Sequence, residues 1–84
     1  MKVAERKRKL SEYEIYLISG LAHGCTVGEL PVILKFYAMD ANSISSIDKN
    51  LHKLRKDLGC RTNAQLVYTF SRQVVKLNIQ KVLN

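Results

Sequence analysis

No stretch of this chain approaches the roughly 18 consecutive apolar residues that a bilayer-spanning helix requires, which excludes a helical membrane protein. The N-terminal MKVAERKRKL is charged and has no apolar signal core behind it, so a soluble intracellular protein is expected. Cysteine is scarce: Cys25 and Cys60 stand far apart, with no second Cys or His at zinc-finger spacing. Neither a disulfide framework nor a structural zinc site is expected, and both thiols should be reduced. Acid is also in short supply, with 7 Asp and Glu against 14 Lys and Arg and a net charge of +7. That balance favours a polyanionic partner over an acidic small substrate. An 84-residue chain has room for one modest core and none for a separate cofactor domain, so no cofactor is expected.

What is present reads as helix. Residues 1–9 hold Lys2, Arg6, Lys7, Arg8 and Lys9 against Glu5, a composition that buries nothing, and form a flexible basic arm or linker end. The domain proper is expected over residues 10–84. Ser11 with Glu14, Thr26 with Glu29, and Thr62 with Gln65 each fit a capping box, in which hydroxyl and carboxylate or amide satisfy the orphan donors of a helix start. The first helix is predicted over residues 11–22, with Leu10 stapled against Ile15, an inward set of Ile15, Ile18, Leu21 and Ala22, and Gly24 as its stop. A second begins near Thr26 with Val27, Leu30, Ile33, Leu34 and Tyr37 on one face; Pro31, about one turn in, predicts a distorted or late start.

For the third helix Asp40 and Ser43 compete as N-cap, and Asp40 satisfies more rules because Met39 and Ile44 then form a hydrophobic staple. From there Ile44, Ile47, Leu51, Leu54 and Leu58 recur at helical spacing, and Gly59 ends the run. A fourth helix is expected from Thr62 to beyond Leu77, with Leu66, Val67, Phe70, Val74 and Leu77 available for burial. The fold class is therefore all-α.

Around the third helix the core stripe leaves Ser45, Lys49, His52, Lys53 and Lys56 outside, with Arg55 on one flank and Arg61 past the end. Phosphates need cations along a groove wall, whereas base edges need shorter polar side chains near a helix N-terminus, where Asn42, Ser43 and Ser45 occur. A plain solvated face is the competing reading of the same pattern. Asp48 is the discordant residue. Turned to DNA it repels phosphate, yet a carboxylate accepts a bond from cytosine N4. Its local alternative is to hold His52 and Arg55, or to complement the helix dipole.

The segment Leu10-Ser-Glu-Tyr-Glu-Ile-Tyr-Leu-Ile-Ser-Gly-Leu-Ala-His-Gly24 resembles the opening of LuxR/GerE-type helix-turn-helix domains. Thr26-x-x-Glu29-Leu30 resembles that family's second-helix cap. Ser43-x-x-Ser46-Ile47, Leu54-x-x-Asp57-Leu58-Gly59-Cys60-Arg61 and Gln65-x-Val67 resemble its recognition helix, the close of that helix and the start of the fourth. The resemblance spans about residues 10 to 70. Asp48, Asn50 and Asp57 depart from the family pattern, as does a longer stretch between Leu34 and Leu58, read as an enlarged connection between helices two and three.

The resemblance implies a four-helix domain of a bacterial, cytoplasmic, sequence-specific transcriptional regulator, nucleoid-associated when bound, with helix three in the major groove of double-stranded DNA. It implies a homodimer through helix four, for which Tyr68, Val74, Val75 and Leu77 are the candidate contacts. Asp48, Lys49 and His52 stand where the family meets bases or adjacent phosphates, and Asn42 and Ser45 join them at the groove-facing end. Thr26, Lys35, Ser43, Lys53, Arg55, Lys56 and Arg61 are the phosphate candidates.

Two rival functions remain: an interaction module derived from the same fold that binds another regulator or an RNA polymerase subunit, and RNA binding through the basic arm. Enzyme activity is not expected. His23 and Cys25 are two residues apart and His52 lies in a basic helix, but neither histidine has a carboxylate orienter at an informative spacing. Tyr13, Tyr16, Phe36, Tyr37, Tyr68 and Phe70 fall on different helices, which suits core or interface anchors better than a base-stacking platform.

Overall fold

The structure, a computed structural model, describes residues 9–83; apart from Lys9, the basic arm lies outside the described residues. Helix α1 (Glu12–Ala22) is followed by a 3-10 turn (Val27–Glu29) that runs into α2 (Leu30–Phe36). Then come α3 (Ile44–Leu58), α4 (Asn63–Thr69), a second 3-10 turn (Ser71–Gln73) and the short α5 (Ile79–Leu83). Among the described residues there is no strand, so the fold is all-α.

Side chains start the helices largely as the spacing predicts. The Ser11 hydroxyl accepts from the Glu14 N–H at 3.1 Å, and the Ser11 N–H donates to Glu14 Oε1 at 2.9 Å. The Thr26 N–H likewise donates to Glu29 Oε1 at 2.9 Å. At α4 the box is shifted: Thr62 Oγ1 accepts from the Gln65 N–H, but the Gln65 amide reaches one residue further back, to the Arg61 N–H at 2.7 Å. Pro31 sits in the first turn of α2, where its missing N–H has no intrahelical partner to lose; the turn before it is 3-10, the distorted start expected there.

The start of α3 differs from expectation. Ser43, not Asp40, is the N-cap, its hydroxyl accepting from the Ser46 N–H at 3.2 Å. Ala41, just upstream, is at φ 55°, outside the helical region, so a helix cannot run through it from Asp40.

Burial in α1 also differs. Leu17, Ile18, Ser19 and Gly20 are buried, Ile15 and Leu21 are half-buried, and Ala22 is exposed. The physical reason is that α1 packs against both α2 and α4, so it buries more than a single stripe. At Gly20 the approach to α2 is close enough that a Cβ would lie 2.6 Å from Leu30 Cδ2. The core gathers Leu17 and Ile18 with Leu30, Ile33, Leu34, Ile47, Leu51, Leu54 and Leu66, all essentially inaccessible. Ile44, at the head of the α3 stripe, is instead 43% exposed.

The largest departure is at the C-terminal end. Helix α4 stops at Thr69, and residues 74–78 turn back without regular structure. Side chains from α1 and from the residues that close α1 and α2 take up their backbone donors: Val75 N–H to the buried Ser19 Oγ at 2.9 Å, Leu77 N–H to His23 Nε2 at 3.2 Å, and Asn78 N–H to Tyr37 Oη at 3.3 Å. His23 Nδ1 lies 2.7 Å from the Ser19 carbonyl. The two contacts together require the neutral ring, with its proton on Nδ1 donating to that carbonyl. Leu77 is 5% exposed and belongs to the core. Apolar residues at 74, 75, 77 and 79 suit helix or extended chain alike, and these acceptors select the extended form.

Candidate nucleic-acid interface

Helix α3 is two-sided by construction. At about 100° per residue, Ile47, Leu51 and Leu54 centre on one direction, and all three are buried. Ser45, Asp48, Lys49, His52, Lys53 and Lys56 fall within about 140° on the opposite side, and all six are exposed. Along the axis this set spans about 16 Å. The cost of burying an ammonium group keeps the lysine heads in water, so the same energetics that anchor the apolar stripe turn the cations outward. Within the arc Lys49 and Lys53 lie to one side of Ser45 and Asp48 to the other, with His52 between them.

The remaining candidates divide by element. Lys35 in the last turn of α2, Thr26 ahead of the first 3-10 turn, and Arg61 beyond α3 are exposed but lie on other segments. Arg55 is half-buried, and its Nη1 donates to Asn63 Oδ1. A guanidinium held by the start of α4 ties two helices together. Asn42 precedes the helix, and its amide donates to the Met39 carbonyl at 3.0 Å. Ser43 spends its hydroxyl on the cap and on Ser46 Oγ at 3.1 Å. The structure thus brings together Ser45, Asp48, Lys49, His52, Lys53 and Lys56, and sets Asn42, Ser43 and Arg55 to work within the fold.

The expected self-association residues separate as well. Tyr68 is 82% exposed on α4, Val75 is exposed and Val74 is half-buried. Leu77 is committed to the core and is not a surface contact, because the chain folds back beyond α4 instead of continuing as helix.

One connection is not legible in the sequence alone. The Tyr13 hydroxyl donates to the Ala41 carbonyl at 2.7 Å, pinning α1 to the link between α2 and α3. Burial raises the Tyr13 pKa above its ordinary value, opposed by a hydrogen bond with Asn50. Burial, and secondarily the negative charge of Glu29, likewise raises the Cys25 thiol, which keeps it protonated and poorly nucleophilic. Among the described residues no group of metal-ligating side chains stands together, and no helix is long and apolar enough to cross a membrane. The chain matches no protein-family model, no curated protein and no solved structure.

Proposed function

We propose that this chain is a helix-turn-helix DNA-binding domain of a transcriptional regulator, similar to the LuxR/GerE type, in which α3 enters the major groove of double-stranded DNA. The observation that carries this reading is the exposed cationic face of α3, set opposite its buried stripe. A major groove about 12 Å wide admits one helix, and a 15-residue helix held from behind by α1, α2 and α4 presents its outer face as a rigid unit. Lys49, Lys53 and Lys56 then neutralise phosphates along the groove wall, with Lys35 and Arg61 extending the footprint. Ser45, Asp48 and His52 face base edges. The connection between α2 and α3 replaces the short turn of the family, and Tyr13 holds it in place from α1. In this reading the exposed Tyr68 provides the anchor for pairing two copies on adjacent half-sites.

The test is the salt dependence of duplex binding. Five phosphates neutralised by Lys35, Lys49, Lys53, Lys56 and Arg61 give a slope of about −4.5 in log K against log salt, a loss of about 500-fold between 50 and 200 mM. A flat response removes the proposal. A specific observation also favours a second reading, docking on a protein partner: Val32 and Phe36, one turn apart on α2, are 47% and 51% exposed. Apolar docking predicts weak salt dependence and persistence when Lys49, Lys53 and Lys56 are all alanine.

A further inference from the structure

The outer face of α3 carries one acid among its cations, and the fold gives that acid no local task. Asp48 is the fifth residue of α3, whose first turn contains no acidic residue, so it is not placed to complement the helix dipole. Neither is it an anchor for its neighbours: among the described residues its side chain makes no ion pair or hydrogen bond. Arg55, seven residues on, donates to Asn63, and Asn50 donates to the Ser46 carbonyl at 2.8 Å. The carboxylate therefore keeps its full acceptor capacity while exposed on the face proposed to meet DNA.

An ionised carboxylate accepts and does not donate. In the major groove only cytosine N4 and adenine N6 donate, and adenine places the N7 acceptor beside its amino group, where it repels a carboxylate. Cytosine has no such neighbouring acceptor on its own edge. Guanine and thymine offer acceptors, and phosphate offers charge of the same sign. We propose that Asp48 is a specificity-determining residue, selecting cytosine at one position of the bound duplex and weakening attachment wherever phosphate or another base lies there instead. This rests on the DNA-binding reading above and deepens it: the lysines supply attraction common to all sequences, and Asp48 makes part of that attraction conditional.

The experiment is selection from a random duplex pool with the full chain and its Asp48→Ala, Asp48→Asn and Lys49→Ala variants, each checked for unchanged helical circular dichroism. The chain itself is expected to enrich cytosine at one position. Asp48→Ala relaxes that position by roughly 5- to 100-fold, leaves the other preferences in place, and tightens binding to unselected duplex by about two- to fivefold. Asp48→Asn shifts the preference to adenine, because an amide matches its donor and acceptor pair. Lys49→Ala weakens binding to every sequence and leaves the cytosine preference standing. If the chain binds duplex but Asp48→Ala keeps the same preference, or if no position favours cytosine, the role of Asp48 is refuted and the DNA-binding reading survives. If no duplex is bound in a salt-dependent way, both fall together.

Discussion

Replacing Ala38 with glycine should stabilise this protein, although the substitution removes a methyl group and adds no contact. Three helices end in the same hydrogen-bond pattern. After α1 the Cys25 N–H reaches the Gly20 carbonyl at 3.1 Å, with Gly24 at φ 91°; after α3 the Cys60 N–H reaches the Arg55 carbonyl at 2.8 Å, with Gly59 at φ 68°. After α2 the Met39 N–H reaches the Leu34 carbonyl at 2.8 Å and the Ala38 N–H reaches the Lys35 carbonyl at 3.0 Å, but here the left-handed position is Ala38, at φ 58°. This is the Schellman close, which favours a residue without a Cβ.

A left-handed L-residue costs about 1–2 kcal/mol, and glycine returns roughly 0.5–1 kcal/mol of that through the greater freedom of the unfolded chain. The Ala38 side chain is exposed, so no core contact is lost. A net gain of about 0.5–1 kcal/mol raises Tm by about 2–8 °C in a domain of this size. Thermal unfolding followed by circular dichroism measures it, with Gly59→Ala as the opposite arm, expected to lower stability by about 1 kcal/mol. A variant Ala38→Gly that melts at or below the parent temperature, or a harmless Gly59→Ala, would show that the strain assigned to this link is not there.

Two further outcomes follow from the packing. Tyr13→Phe should cost about 1 kcal/mol by removing the bond to the Ala41 carbonyl. Because burial raises the Tyr13 pKa, the folded state holds this proton more firmly than the unfolded chain does. Its stabilising contribution is complete below the unfolded value near 10 and is lost as pH rises through the higher folded value, so urea unfolding should show an alkaline decline in the parent that Tyr13→Phe reduces. Leu77→Ala should cost about 2–4 kcal/mol, as expected for a core leucine, while leaving the association state of the folded protein unchanged in sedimentation. A change in association with little loss of stability would return Leu77 to the surface.

Local chemistry made much of this fold legible. Ser11 with Glu14, Thr26 with Glu29, and Gly24 and Gly59 mark helix ends through interactions that span only a few residues, and the spacing of Ile47, Leu51 and Leu54 reports which side of α3 is buried. The exposed set on α3 was readable for the same reason, since the outside of an amphipathic helix is fixed once its inside is known. What stayed hidden depends on contacts distant in sequence. The turn-back of residues 74–78 is set by Ser19, His23 and Tyr37, which lie 56, 54 and 41 residues from the groups they bind. Nothing in the local pattern separates that segment from more helix. Ala38 and Ala41 in left-handed positions are equally invisible, because the usual signal there is glycine or asparagine. The tie from Arg55 to Asn63 was hidden in the same way, because its partner belongs to the next helix.

The central claim is that the exposed cationic side of α3 meets the duplex while the rest of the fold stands behind it. Titrating the isotopically labelled chain with a short DNA duplex and following its backbone and side-chain NMR signals tests this most directly. The account predicts that the perturbed signals centre on Ser45, Asp48, Lys49, His52, Lys53 and Lys56, and that residues 74–83 stay unmoved. Perturbations centred on Val32 and Phe36 or on Tyr68, with the outer face of α3 silent, would contradict it.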